Sequence, residues 1–359
     1  MSNLILDSLE IRNFRGLKAL EIGKLGRVNL IVGKNSVGKT SVLEALRLYA
    51  QPALLRTLIN IFLERDEIDR PSLHPGPNLE PPKPLPVELL FSGRTDTFLS
   101  DADRLEILIG TVGNGLRNLR IWTARDSESE NGSDRGTILL FDTQGDIDSL
   151  SASDYRASEI DDPPPILSKN NLLPCFYRSA RGMNQIGLSS LWDFIALTHL
   201  ESDVFTILQL VAPDIERLAL KPISTRSTTR VPFVSVKGTT APVPLKSLGD
   251  GVNRLFEIAL SLVSAKNGFL LIDEVENGLH YSVQGEVWKL IFSVATKLNV
   301  QVFATTHSYD CIRAFEAAAR ENEEEGRVIR LVQKAGKILV AEFDEEELEI
   351  AVDGQIEVR

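Results

Sequence analysis

The run Gly33-Lys34-Asn35-Ser36-Val37-Gly38-Lys39-Thr40 has the spacing G-x-x-x-x-G-K-[ST], which suits a loop wrapped around phosphate oxygens. Glycine is needed because a backbone without Cβ can fold its N–H groups inward, and a following helix adds the positive end of its dipole. Lys39 would meet β- and γ-phosphates as a point charge. Thr40 would offer its hydroxyl to Mg²⁺, with Ser41 beside it at the helix start. A second run, Phe269-Leu270-Leu271-Ile272-Asp273-Glu274, is an apolar strand ending in two carboxylates. Asp273 can hold Mg²⁺ through water. Glu274, one residue on and oppositely directed, can orient and deprotonate an attacking water.

Three weaker segments complete the set. Ser247-Leu248-Gly249-Asp250-Gly251 opens a helical run with a small hydroxyl residue and two glycines. The same residue types are ordinary caps and turns. Glu276-Asn277-Gly278-Leu279-His280 follows the acidic pair, and the apolar run VQVFATT ends at His307-Ser308. An imidazole at His307 could contact the γ-phosphate, whereas His280 reads equally well as structural.

These residues need elements to hold them. Leu4 to Phe14 reads as an extended strand, Arg27 to Val32 as a short buried strand, and Thr40 to Ala50 as a helix, so the glycine loop lies between strand and helix. Residues 71–86 contain seven prolines and cannot be helix or central strand. Short strands follow (VELLF, RLEILIG, LRNLRIWTA, TILLF), expected to form an antiparallel arm whose open edges could dock a partner. The Ser-, Asp- and Glu-rich stretches 125–135 and 143–165 are expected to be surface loops.

From Leu172 the pattern alternates. We expect strands at 172–177, 215–220, 232–236, 269–273 and 300–304, helices at 189–210, 251–264 and 281–297, and closing strands at 327–333 and 337–343. Such alternation points to an α/β domain built on a mostly parallel sheet. The segment Tyr177-Arg178-Ser179-Ala180-Arg181-Gly182 follows a strand. Its arginines could reach phosphate or nucleic acid, or simply pair with surface acids.

The 359 residues carry a net charge of -11, with 43% hydrophobic and 25% charged residues, a composition suited to a globular fold. An acidic chain does not coat nucleic acid or anionic membrane through its overall field, though a local basic groove stays open. The two cysteines, Cys175 and Cys311, lack disulfide or zinc spacing and read as buried thiols. The opening MSNLILDSLEIRNF has no signal-peptide run, and no segment is apolar enough for a membrane span, so a cytoplasmic location is expected.

Taken in order, LDSLEIRNFRGLKALEI, the glycine loop with Asn35, SLGDG, LLIDEVENGLH and TTHS resemble an ABC-type AAA-family ATPase of the RecF and OLD (overcoming lysogenization defect) kind. The likeness covers roughly residues 1–50 and 170–355. It implies an ABC-type P-loop NTPase domain from 1–50 and 170–359, interrupted at 51–169 by the proline-rich segment and an antiparallel β arm inserted after the P-loop helix.

The resemblance further implies ATP and Mg²⁺ as cofactors, Glu274 and His307 as catalytic residues, and Ser247, Gly249 and Gly251 as a signature acting on ATP held by a second copy. The signature lacks the glutamine of transporter ATPases, and no Q-loop stands out. OLD nucleases add a TOPRIM domain, for which the sequence after His307 has no room, and long heptad runs are missing too. A homodimer or larger dimer-based assembly controlling a separately encoded effector, a TOPRIM-like nuclease or a toxin in phage defence, is therefore expected. A RecF-like DNA-binding ATPase and a scaffold with structural nucleotide are the alternatives.

Overall fold

The computed structural model describes residues 4–52, 55–69, 84–93, 105–113, 118–125, 137–152, 172–180, 182, 185–222, 230–322 and 326–343. Most of the proline-rich segment, much of both acidic stretches and Arg181 lie outside the described residues.

At the centre is a six-stranded sheet of order β15-β14-β3-β13-β12-β8. Its strands are β3 (Val28–Val32), β8 (Cys175–Arg178), β12 (Phe269–Ile272), β13 (Gln301–Thr306), β14 (Gly326–Lys334) and β15 (Lys337–Phe343). All neighbours are parallel except β14 with β15, which are joined by a hairpin. β3 and β12 are buried along their whole length because both faces of the sheet are covered. The period of two sorts their side chains: Val28, Leu30, Leu270 and Ile272 enter one core, while Ile31, Phe269, Leu271 and Phe303 enter the other.

The first core is closed by helices α3 (Gln185–Ile195), α4 (His199–Val211), α5 (Asp250–Ser264), α6 (Tyr281–Leu298) and α7 (Tyr309–Ala319). The second lies under a six-stranded antiparallel sheet of order β2-β1-β4-β5-β6-β7, with the helix α1 (Lys39–Ala50) between the layers. Here β1 is Leu9–Phe14, β2 Leu17–Ile22, β4 Ile107–Gly110, β5 Asn118–Arg125, β6 Thr137–Thr143 and β7 Asp146–Ser151. A small antiparallel sheet of β9 (Ile215–Pro222), β10 (Arg230–Val236) and β11 (Val243–Pro244) completes the fold.

The expected antiparallel strands are present, and they continue the β1–β2 hairpin: Ile11 pairs with Ile109, and Ile107, Ile109, Ile121 and Phe141 are buried in the second core. They are thus held along a face as well as at their edges, leaving β7, with Ile147 exposed, as the outer edge.

Four local expectations change. VELLF is a 3-10 turn over Val87–Leu90, not a strand. Residues 146–151, expected as loop, form β7. The helix expected at 189–210 is two helices. Leu197 takes φ 65°, and the Thr198 hydroxyl, which accepts from the Leu200 N–H, starts a new helix. Finally β2, α2 (Leu55–Glu64) and α7 were not anticipated.

A candidate nucleotide-binding site

The phosphate loop begins where β3 leaves the sheet. Gly33 has φ 149°, and a Cβ there would lie 2.5 Å from the Leu331 carbonyl oxygen of β14, so only glycine fits between the strands. Lys34, Asn35 and Ser36 are exposed at the tip, and Val37 is buried beneath it. α1 starts immediately after Gly38. The Lys39 ammonium donates to the carbonyls of Gly33 at 2.7 Å and Lys34 at 3.1 Å, curling over its own loop. Burial pulls its pKa below the ordinary value, opposed by the negative charges of Asp273, Glu274 and Glu276. Ser41 is engaged elsewhere, since its hydroxyl accepts from Arg65 Nη2 at 3.1 Å.

Asp273 is the meeting point of three elements. Thr40 Oγ1, in the first turn of α1, donates to Asp273 Oδ2 at 3.1 Å. Thr305 Oγ1, from β13, donates to Oδ1 at 2.5 Å. The Tyr177 hydroxyl, from β8, stands 3.5 Å from Oδ2. The strand order β13-β12-β8 makes this convergence possible, because Asp273 emerges between its two neighbours.

Among the described residues no group of three His, Cys, Asp or Glu side chains could hold a metal. The Thr40 and Asp273 oxygens nevertheless suit Mg²⁺, a hard cation that uses one or two protein oxygens and takes the rest from water and phosphate.

Glu274 follows in the left-handed region, at φ 47°. Such a conformation costs a non-glycine residue about 1–3 kcal/mol and persists only where neighbours hold it. Two bonds do so: the Glu274 N–H donates to Thr305 Oγ1 at 2.9 Å, and Asn277 Nδ2 donates to Glu274 Oε2 at 2.6 Å. His307 is half-exposed at the end of β13, with Nδ1 3.7 Å from Glu274 Oε1 and 3.4 Å from Glu276 Oε1. Lys39, Thr40, Asp273, Glu274 and His307 therefore lie together at the ends of β3, β12 and β13.

The segment Ser247–Gly251 lies at the start of α5. Ser247 is exposed and donates to the Pro244 carbonyl at 2.6 Å. A Cβ on Gly251 would lie 3.2 Å from the carbonyl oxygen of Gly278, so α5 starts against the loop after Glu274. Among the described residues no side-chain hydrogen bond from Ser247 reaches the phosphate loop. His280 caps α6, its Nδ1 accepting from the Ser282 N–H, and its ring stacks on Tyr281 at 4.3 Å.

Several residues take roles here that the sequence does not announce. Thr305 lies within the TTHS run, but its bond to Asp273 depends on the adjacency of β12 and β13. Tyr177 needs β8 beside β12. Arg178 is neither a surface residue nor directed at phosphate. It is buried, bonds Ser261 of α5 and the Tyr177 carbonyl, and burial lowers its pKa to about 10.

A charged network also braces α1. Glu44 is buried between Arg15 Nε at 2.7 Å and Arg65 Nε at 2.6 Å, Arg15 also binds Glu67, and Arg47 pairs with Glu64 while covering the Tyr177 ring at 4.3 Å.

A cavity of about 570 Å³ near Tyr281, Asp310, Arg313 and Arg320 shares no residue with the phosphate loop, and its mixed charges do not suit a polyphosphate. Among the described residues no helix is long and apolar enough to cross a membrane.

The chain is similar to several known proteins. An ATP/GTP phosphatase of Helicobacter pylori is 22% identical over 348 residues, covering 89% of this chain and 90% of that protein. The DNA replication and repair protein RecF of Lactobacillus acidophilus is 43% identical over only 54 residues, 15% of this chain and 14% of that one. Among solved structures, an Smc head bound to the C-winged helix domain of ScpA aligns with a TM-score of 0.51 at 12% identity, covering 95% of this chain and 98% of that one. An Smc head domain with an extended coiled coil, bound to the C-terminal domain of ScpA and derived from Pyrococcus furiosus, gives 0.50 at 11% identity, with 98% and 99% covered. These heads share the fold, that of an ABC-type P-loop ATPase domain. The family model described as "AAA domain, putative AbiEii toxin, Type IV TA system" matches residues 28–310, and the chain belongs to that family.

Proposed function

We propose that the protein is a cytoplasmic, Mg-dependent ATP hydrolase, completed as an enzyme when two copies meet, whose nucleotide state governs a separately encoded effector. The observation that carries the reading is the convergence of Lys39, Thr40 and Thr305 on the acidic end of β12 at Asp273 and Glu274. Lys39 and the loop amides would hold the triphosphate. Thr40 and Asp273 would hold Mg²⁺, which when bound neutralises phosphate charge. Glu274, fixed by Asn277, would orient the water, and His307 would complete its surroundings.

The exposed Ser247 supports a two-copy site. It leads a helix whose start is packed on the loop after Glu274, so it is available to a second molecule while tied to the first molecule's acidic strand end. The family's description, which names a putative toxin of a type IV toxin–antitoxin system, supports an effector-coupled role in phage defence. The Smc heads whose titles name a bound ScpA domain support the idea of a protein partner.

Steady-state turnover of ATP and GTP tests the reading. Glu274→Gln should bind ATP as the wild type does yet hydrolyse it at least about a hundredfold more slowly. Equal turnover in the two proteins would remove Glu274 from the reaction. Wild-type binding without turnover would make the protein a nucleotide-bound scaffold.

A further inference from the structure

Glu276 has no role in the scheme above, yet it is the acid most firmly placed against His307. Its side chain is 10% exposed, a degree of burial that glutamate reaches mainly when paired. Oε1 accepts the His307 backbone N–H at 3.2 Å and lies 3.4 Å from ring Nδ1. Oε2 is buried with no hydrogen-bond partner among the described residues. A buried carboxylate oxygen without a donor is unfavourable, so in a native fold it marks a group held ready for one. Glu274 is the other acid beside the ring, but it is farther away at 3.7 Å and already takes the Asn277 amide on its second oxygen.

We propose that Glu276 is the positioning residue of His307. Its Oε1 faces both N–H groups of that histidine, the backbone one at 3.2 Å and Nδ1 at 3.4 Å. A carboxylate can only accept, so this pairing keeps the proton of the neutral ring on Nδ1 and leaves Nε2 as an acceptor. With Nδ1 as the donor, Nε2 can orient a water and does not donate to a phosphate oxygen. The spacing of the loop supports this assignment: the Glu276 carbonyl accepts the Leu279 N–H at 2.9 Å, so the turn itself holds the carboxylate under β13. The inference rests on the ATPase reading for its consequence but not for its geometry.

The test uses full-length protein labelled with ¹⁵N at its four histidines, with His307 assigned from the resonance lost in His307→Gln. In wild-type protein without nucleotide, the two-bond ¹⁵N–¹H pattern should be that of the Nδ1–H tautomer. Glu276→Gln keeps an acceptor for the backbone N–H but loses the anionic partner of the ring. It should shift the tautomer population, lower kcat about tenfold with KM for ATP unchanged, and add nothing to His307→Gln in the double variant. An Nε2–H tautomer in the wild type overturns the proposal whether or not any variant folds. So does a Glu276→Gln protein with unaltered tautomer and kcat, or a double variant in which the two losses multiply. The tautomer is read without ATP, so a wild-type protein that fails to hydrolyse ATP would count against the ATPase reading alone.

Discussion

The Thr40 hydroxyl donates to Asp273 Oδ2 at 3.1 Å across 233 positions of sequence, joining the first turn of α1 to the end of β12. With Thr305 on the other oxygen at 2.5 Å, the carboxylate is held from both sides. Asp273→Asn can accept through only one atom, so it should lose Mg²⁺-dependent nucleotide affinity by about tenfold or more while binding in chelator stays unchanged. Titration of a fluorescent ATP analogue with and without Mg²⁺ measures this. An equal loss in both conditions would mean that Asp273 acts on the loop itself.

Glu44, with a side chain only 1% exposed, is shared by Arg15 and Arg65. Glu44→Gln removes one of the two carboxylates of Arg15, which keeps Glu67, and should cost about 1–2 kcal/mol of stability. Urea unfolding followed by circular dichroism gives the value. A change under about 0.5 kcal/mol, the size typical of an exposed pair, would show that the network is dispensable.

Burial, and then the negative charge of Glu276, push the Cys311 thiol up to about 12 from its ordinary value of 9.0. The folded protein keeps this proton where the unfolded chain has lost it, so the stability concerned is complete below pH 9 and declines as the pH climbs toward 12. In that window the slope is about 1.4 kcal/mol per pH unit. Denaturant midpoints measured between pH 7 and pH 10.5 should fall faster for the wild type than for Cys311→Ala. Parallel curves would place the thiol in contact with water.

Much of this site was legible before any fold was known, because a phosphate loop and an acidic strand end are written in contiguous residues. Gly33 to Thr40 needs only a strand before and a helix after, and β3 and α1 supply both. The central α/β elements were legible for the same reason: β12 and β13 are apolar runs of strand length, and α5 and α6 have helical spacing. What escaped depends on contacts between distant segments. The break between α3 and α4 rests on one left-handed leucine and one threonine cap inside an otherwise continuous apolar pattern. The roles of Thr305, Tyr177 and Glu276 follow from which strands lie side by side, and no local spacing announces that. The acidic composition of residues 146–151 concealed β7, which is mostly exposed and is held by pairing with β6 instead of by burial.

The central claim is that one molecule's phosphate loop works with another molecule's Ser247, and mixing two inactive proteins tests it most directly. Lys39→Ala removes the cation of the loop, and Ser247→Arg blocks the exposed serine, so each alone should hydrolyse ATP at no more than about a hundredth of the wild-type rate. In a mixed dimer one site joins an intact loop to an intact serine, so activity should return to a substantial fraction of the wild-type level. If mixed dimers form and the rate stays at that of the single variants, hydrolysis takes place within one chain and the two-copy account is wrong.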